Sequence, residues 1–195
     1  MKYVSISGAV AAGKTTLLNH LLDALGDRAK FHEERPQDNP FITDYYADSR
    51  RWSFHSQMTF LALYFDNPDW LQRDRDFYFF DRCLIENLVI ARYRLQAGDL
   101  TQDEYAVIEK MANGIASLMP PIDQYIYLRC SVPLLMEHAK KRGRAYEQSL
   151  GRAYAEQQKA LYDAWAAQLP PDKTLIVDVD EGVDLDRVLR FLETP

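Results

Sequence analysis

The chain has 195 residues, with 23 basic against 29 acidic side chains, a net charge of -6, and 47% hydrophobic and 12% aromatic residues. That length and composition exclude disorder as the main state and suit one domain that hides roughly 70% of its unfolded surface. The acidic balance excludes a general nucleic-acid or anionic-membrane coat, but it allows a local basic cluster around a small phosphorylated ligand.

The opening MKYVSISGAVAA imitates a signal peptide. Ser5 and Ser7 interrupt the apolar stretch and Lys14 follows at once, so the mature chain is expected to begin here, in the cytoplasm. Residues 2–7 form a short β-rich run. Leu17, Leu18, Leu21, Leu22 and Leu25 then fall at helical spacing, with Gly26 as the stop. A short strand is expected around Phe31, followed by the polar, turn-rich segment 33–40. Further strand-length runs lie at 77–80, 125–128 and 175–177, near-continuous rather than alternating, which suits strands covered on both faces of a parallel sheet. Helical patterns cover 51–66, 84–97, 103–118, 132–141, 147–168 and 184–193. Ser131 with Pro133 marks one helix start and Gly98 one stop. Repeating strand and helix predicts an α/β sandwich in a single domain, 1–195. No run approaches the 18 apolar residues of a membrane span. Cys83 and Cys130 form no CxxC pair and read as buried small hydrophobes of a reducing compartment.

Between the first strand and helix, Gly8-Ala9-Val10-Ala11-Ala12-Gly13-Lys14-Thr15 matches G-x-x-x-x-G-K-[ST] at every fixed position. Gly8 and Gly13 permit backbone geometry that lets successive N–H groups converge on phosphate oxygens. Lys14 adds charge over the β and γ phosphates, the Thr15 hydroxyl is placed for Mg²⁺, and the helix start presents its positive end, with Thr16 next in line. Switch GTPases are disfavoured because no Asn-Lys-x-Asp base reader occurs. Motor ATPases usually need a longer chain, so small-molecule kinases fit best.

Phosphoryl transfer to a hydroxyl needs charge neutralisation and a carboxylate to take the proton. Asp81-Arg82 ends an apolar strand run, on the face where such chemistry occurs. Asp81 can hold Mg²⁺ through water, and Arg82 can bridge acceptor oxygen and phosphate. Lys140-Lys141-Arg142-Gly143-Arg144 is the densest basic cluster and suits a lid over the phosphates, or a solvated helix end.

Together these segments resemble the deoxynucleoside kinase family, most closely its bacterial deoxyadenosine and deoxyguanosine branch. The likeness runs in order through nearly the whole chain: the P-loop, Glu34 with Asp38-Asn39-Pro40, the run from Arg51 to Gln57, Asp81-Arg82, Arg142-Gly143-Arg144 with Glu147, and the closing LIVDVDE. The resemblance implies a P-loop NTPase three-layer sandwich: a five-stranded parallel sheet flanked by helices, with an arginine-rich lid at about 138–148. It implies ATP- and Mg²⁺-dependent phosphorylation of a deoxynucleoside 5'-hydroxyl, purines favoured, by a homodimer through helices such as 51–66 and 84–97. Glu34 is then the general base, with Arg82 and Lys14 catalytic, and Thr15 and Asp81 hold the metal. Tyr46 and Glu147 take the sugar 3'-hydroxyl, and Gln57 reads the base edge beside Phe54. Arg142 and Arg144 close on the phosphates, and the turn at Asp180 and Glu181 meets the donor adenine.

The chain departs from the family where base recognition is usually assisted by an arginine, here Tyr64, and its aspartate partner, here Asn87. Both are expected at the substrate as a neutral pair. His138 stands where a third lid arginine is common. Two other readings are a nucleoside monophosphate kinase of the thymidylate-kinase type and a non-catalytic nucleotide-binding module.

Overall fold

The computed structural model describes residues 1–66, 68–144 and 151–194. In chain order these form β1 (Lys2–Ser7), α1 (Lys14–Leu25), β2 (Ala29–His32), α2 (Ile42–Ala47), α3 (Ser49–Leu63), β3 (Phe77–Asp81), α4 (Ile85–Gln96) and α5 (Gln102–Ala116). There follow β4 (Gln124–Arg129), α6 (Val132–Arg142), α7 (Arg152–Ala166), β5 (Thr174–Asp178) and α8 (Leu185–Leu192). The five strands form one parallel sheet in the order β2-β3-β1-β4-β5.

The near-continuous apolar runs have the cause the sequence suggests. Along β3, Phe77 and Phe79 pack into one core with α1, α7 and α8, through residues such as Leu18, Leu21, Tyr162 and Val188. Tyr78 and Phe80 pack into a second core on the opposite face with Leu61, Leu84 and Ile108. Successive strand side chains point to opposite faces, so a strand covered by helices on both sides needs apolar residues at every position.

Just after the turn-rich segment that follows β2 lies a helix that sequence pattern did not reveal, α2. Its entry is fixed by buried Asn39, whose Nδ2 donates to the carbonyl of Ser56 at 3.2 Å and to the Ser56 hydroxyl at 3.0 Å. Its Oδ1 accepts from the Phe41 amide at 3.0 Å. This amide pins the loop after β2 to α3 and so sets where Glu34 lies. The helix expected from 147 begins at Arg152, and residues 145–150 lie outside those described. Among the described residues, no helix is long and apolar enough to cross a membrane.

Candidate active site

The strand order puts the C-terminal ends of β2, β3 and β1 side by side, the edge where open parallel sheets hold ligands. From β1 the chain turns through Gly8, at φ +152°. A Cβ there would lie 2.9 Å from the Leu128 carbonyl oxygen and 3.2 Å from the Ala12 Cβ, so β4 and the loop itself require glycine. Gly13 has space around it and is required by its φ of +95° instead. Lys14, the first residue of α1, curls back so that Nζ donates to the carbonyls of Gly8 at 3.1 Å and Ala9 at 3.2 Å. Its ammonium is buried, and that desolvation, with Arg82 nearby, lowers its pKa to about 8 against the opposing pull of Asp81, Glu34 and Glu86.

At the end of β3, the Oδ2 of Asp81 accepts from the Thr15 hydroxyl at 3.2 Å. The other oxygen, Oδ1, is buried without a partner. Burial raises the Asp81 pKa, partly offset by Lys14. The next residue, Arg82, is only 4% exposed and holds φ at +74°. Its Nε meets the carboxylate of Glu34 at 3.1 Å, and its Nη1 donates to the Tyr162 hydroxyl. Beneath the loop, fully buried Glu86 accepts through Oε1 from the Ser7 hydroxyl at 2.8 Å and the Cys83 amide at 2.9 Å. Burial raises its pKa despite Arg82 and Lys14.

Glu34, Lys14, Arg82, Tyr46, Gln57, Arg142 and Arg144 line one cleft of about 70 Å³. Gln57 is 2% exposed, and its Oε1 has no hydrogen-bond partner. Other predicted residues stand elsewhere. Glu33 is exposed, consistent with Glu34 as the inward acid. Phe54 packs against the second core. Tyr64 and Asn87 line a smaller adjoining cavity with His32 and Phe60, and the Tyr64 hydroxyl donates to the Arg82 carbonyl at 2.9 Å. Glu147 lies outside the described residues.

On the other side of Lys14 is a cavity of about 670 Å³. It is lined by Ala11, Gly13, Thr15 and Thr16 of the loop, by His138, Arg142 and Arg144 of the lid region, and by Val179 and Val183. His138 Nδ1 lies 3.0 Å from the Ala11 carbonyl, tying α6 to the loop. Of the predicted adenine turn, Asp180 turns its carboxylate to the amide of Ser131, at 2.8 Å, and to its hydroxyl, which fixes the start of α6. Sequence reading missed Tyr154 and Tyr162 on α7, His20 on α1, and Glu86. The signal for the first two is there: Tyr154, Gln158 and Tyr162 recur every four residues along one helix face.

A glycine loop capping a helix, with an acid and an arginine at the neighbouring strand end, defines a P-loop phosphoryl-transfer protein. Comparison with known proteins narrows this class. The model of the deoxynucleoside kinase family matches residues 4–190, and the chain belongs to that family. It is 27% identical to the deoxyadenosine/deoxycytidine kinase of Bacillus subtilis, over 83% of this chain and 75% of the relative. It is 28% identical to the deoxyguanosine kinase of the same organism, over 96% and 89%. A solved deoxyadenosine kinase from M. mycoides with bound dCTP superposes with a TM-score of 0.84 at 25% identity, covering 97% of this chain and 98% of that one. The same enzyme with dATP gives 0.84 at 25% identity over the full length of both. Family membership favours a nucleoside acceptor over the monophosphate-kinase and non-catalytic alternatives.

Proposed function

We propose that this kinase transfers the γ-phosphate of ATP to the 5'-hydroxyl of a purine deoxynucleoside, with deoxyadenosine preferred. One observation carries the reading: Glu34, Arg82 and Lys14 share a cleft with the unpartnered carboxamide oxygen of Gln57. A proton acceptor, two cations and a base-edge reader therefore face one small volume.

Glu34 takes the proton of the 5'-hydroxyl, aimed by its ion pair with Arg82. The loop amides from Ala9 to Thr16 hold the triphosphate, and Lys14 turns from the Gly8 and Ala9 carbonyls to its β and γ oxygens. Arg82 spans acceptor oxygen and γ-phosphate, while Arg142 and Arg144 neutralise the transferring group from the lid. Tyr46 crowds the sugar, and a 2'-hydroxyl there is disfavoured. The turn carrying Asp180 and Glu181 meets the donor base through its backbone.

Thr15 and Asp81 fit a Mg²⁺ ion. Their oxygens already lie together, and Asp81 Oδ1 is a buried acceptor without a donor. Among the described residues there is no cluster of three His, Cys, Asp or Glu that could hold a metal. Two side chains, with phosphate oxygens and water completing the shell, are what Mg²⁺ in such sites takes. When bound, the ion neutralises charge on the β and γ oxygens.

Gln57 reads the base edge: its free acceptor takes the exocyclic amino group of adenine or the N1–H of guanine. The preference for deoxyadenosine is supported by the likeness to solved deoxyadenosine kinases. The named relatives act on deoxyadenosine, deoxycytidine or deoxyguanosine. As the family resemblance implies, the working form is a cytoplasmic homodimer. The test is phosphorylation by ATP of a panel of deoxyribo- and ribonucleosides and their monophosphates. Deoxyadenosine is expected to turn over fastest. Preference for a monophosphate acceptor, or a guanine base, overturns the assignment.

A further inference from the structure

The geometry points to Tyr64 as a positioning residue for Arg82 rather than a reader of the base, an inference that rests on Arg82 acting in the transfer as proposed. Arg82 is one of two non-glycine residues with positive φ among those described. L-residues disfavour that conformation, so the surroundings must hold it. Three hydrogen bonds frame it. The Arg82 amide donates to the Ile6 carbonyl at 3.1 Å, and the Cys83 amide donates to Glu86 Oε1 at 2.9 Å. Between them, the Arg82 carbonyl accepts from the Tyr64 hydroxyl at 2.9 Å.

Tyr64 is itself fixed. Its ring stacks on His32 with centroids 4.8 Å apart and planes 12° from parallel, and its own carbonyl accepts from Trp70 Nε1 at 3.3 Å. The side chain is buried and lines the cavity beside the cleft, not the cleft holding Gln57. Its one proton is used on the Arg82 carbonyl, and that bond is what an outside element, the end of α3, contributes to the turn. Without it the peptide can rotate to relieve the left-handed residue, and the guanidinium swings away from Glu34.

The experiment is Tyr64→Phe, which removes one oxygen and keeps the stacked ring. Loss of one buried hydrogen bond to the aiming peptide is expected to lower kcat about three- to tenfold. The loss should be equal for all deoxynucleosides, with KM for nucleoside and for ATP unchanged. On an Arg82→Lys background the same change should cost less than about twofold, because residues acting as a unit are not additive. A shift in relative rates among bases would make Tyr64 a base reader. Unchanged kcat, or a loss that multiplies fully on the lysine background, also overturns the inference. Wild-type protein that phosphorylates no deoxynucleoside instead removes the functional reading beneath it.

Discussion

Arg82 and Glu34 meet at 3.1 Å across 48 residues of sequence, one side chain 5% and the other 23% exposed. In the proposed reaction, the arginine that accompanies the phosphate thereby fixes the acid that takes the proton of the hydroxyl. Glu34→Gln keeps the size and a hydrogen bond to Arg82 but cannot accept a proton. We expect kcat to fall by about 10²- to 10⁴-fold, the range of general-base catalysis. ATP binding, measured by calorimetry, should be nearly unchanged, since Glu34 does not line the larger cavity on the other side of Lys14, where we propose the donor binds. Full turnover in this variant would remove Glu34 as the base.

Lys14 gives a pH dependence with a definite sign. In the free protein its pKa is lowered to about 8 by burial and by Arg82. A bound triphosphate favours the ammonium and raises that pKa again. Below pH 8 the lysine is already charged, and ATP affinity is flat with pH. Above it, binding must take up a proton, so Kd rises towards tenfold per pH unit. Calorimetry at pH 9 in buffers of different ionisation enthalpy should show uptake approaching one proton. No uptake would mean that Lys14 does not approach the phosphates.

The two loop glycines should respond differently to alanine. At Gly8 the added Cβ meets main chain at 2.9 Å, which cannot swing aside, and φ is +152°. Gly8→Ala is expected to cost about 2–4 kcal/mol, as strained-backbone and overpacking changes do. At Gly13 there is no clash, only a left-handed φ, so alanine should cost about 1–2 kcal/mol. Urea midpoints compare the two. A Gly13 variant less stable than the Gly8 variant would contradict this reading of the loop.

What sequence shows here and what it hides separate by range. The strands, α1 and the phosphate loop were legible because their signals are local: continuous apolar runs, a leucine stripe and glycines at fixed spacing. Glu34 and Gln57 came through resemblance and Arg82 first from its place at the end of a strand run, and the structure brings the three into one cleft. The four-residue recurrence places Tyr162 on one helix face, but its pairing with Arg82 was hidden because the two lie 80 positions apart. Helix α2 was hidden because Asn39 fixes it through Ser56, not through a periodic face of its own. Tyr64 was read from its position in sequence as a base-side residue; the bond its hydroxyl donates to the Arg82 carbonyl, 18 residues away, has no local signal.

Glu86 shows what the phosphate loop costs in stability. It is fully buried under β1, its Oε1 accepting from Ser5, Ser7 and the Cys83 amide, while Oε2 has no partner. Burial raises its pKa above the ordinary 4.5, so the folded protein binds a proton more readily than the unfolded chain. That contribution to stability is complete below pH 4.5 and is lost as pH rises through the folded value. Glutamine resembles the protonated acid: it keeps the three acceptor bonds and carries no charge. Glu86→Gln should therefore be the more stable protein at pH 7, by on the order of 1 kcal/mol, the scale of a typical single-site change. The gap should close as pH falls towards 4.5. Asp81, also raised by burial, is common to both proteins and cancels. Urea midpoints at a series of pH values check this. A variant less stable than wild type at pH 7, or a difference constant with pH, would show that Lys14 and Arg82 hold Glu86 ionised at no cost.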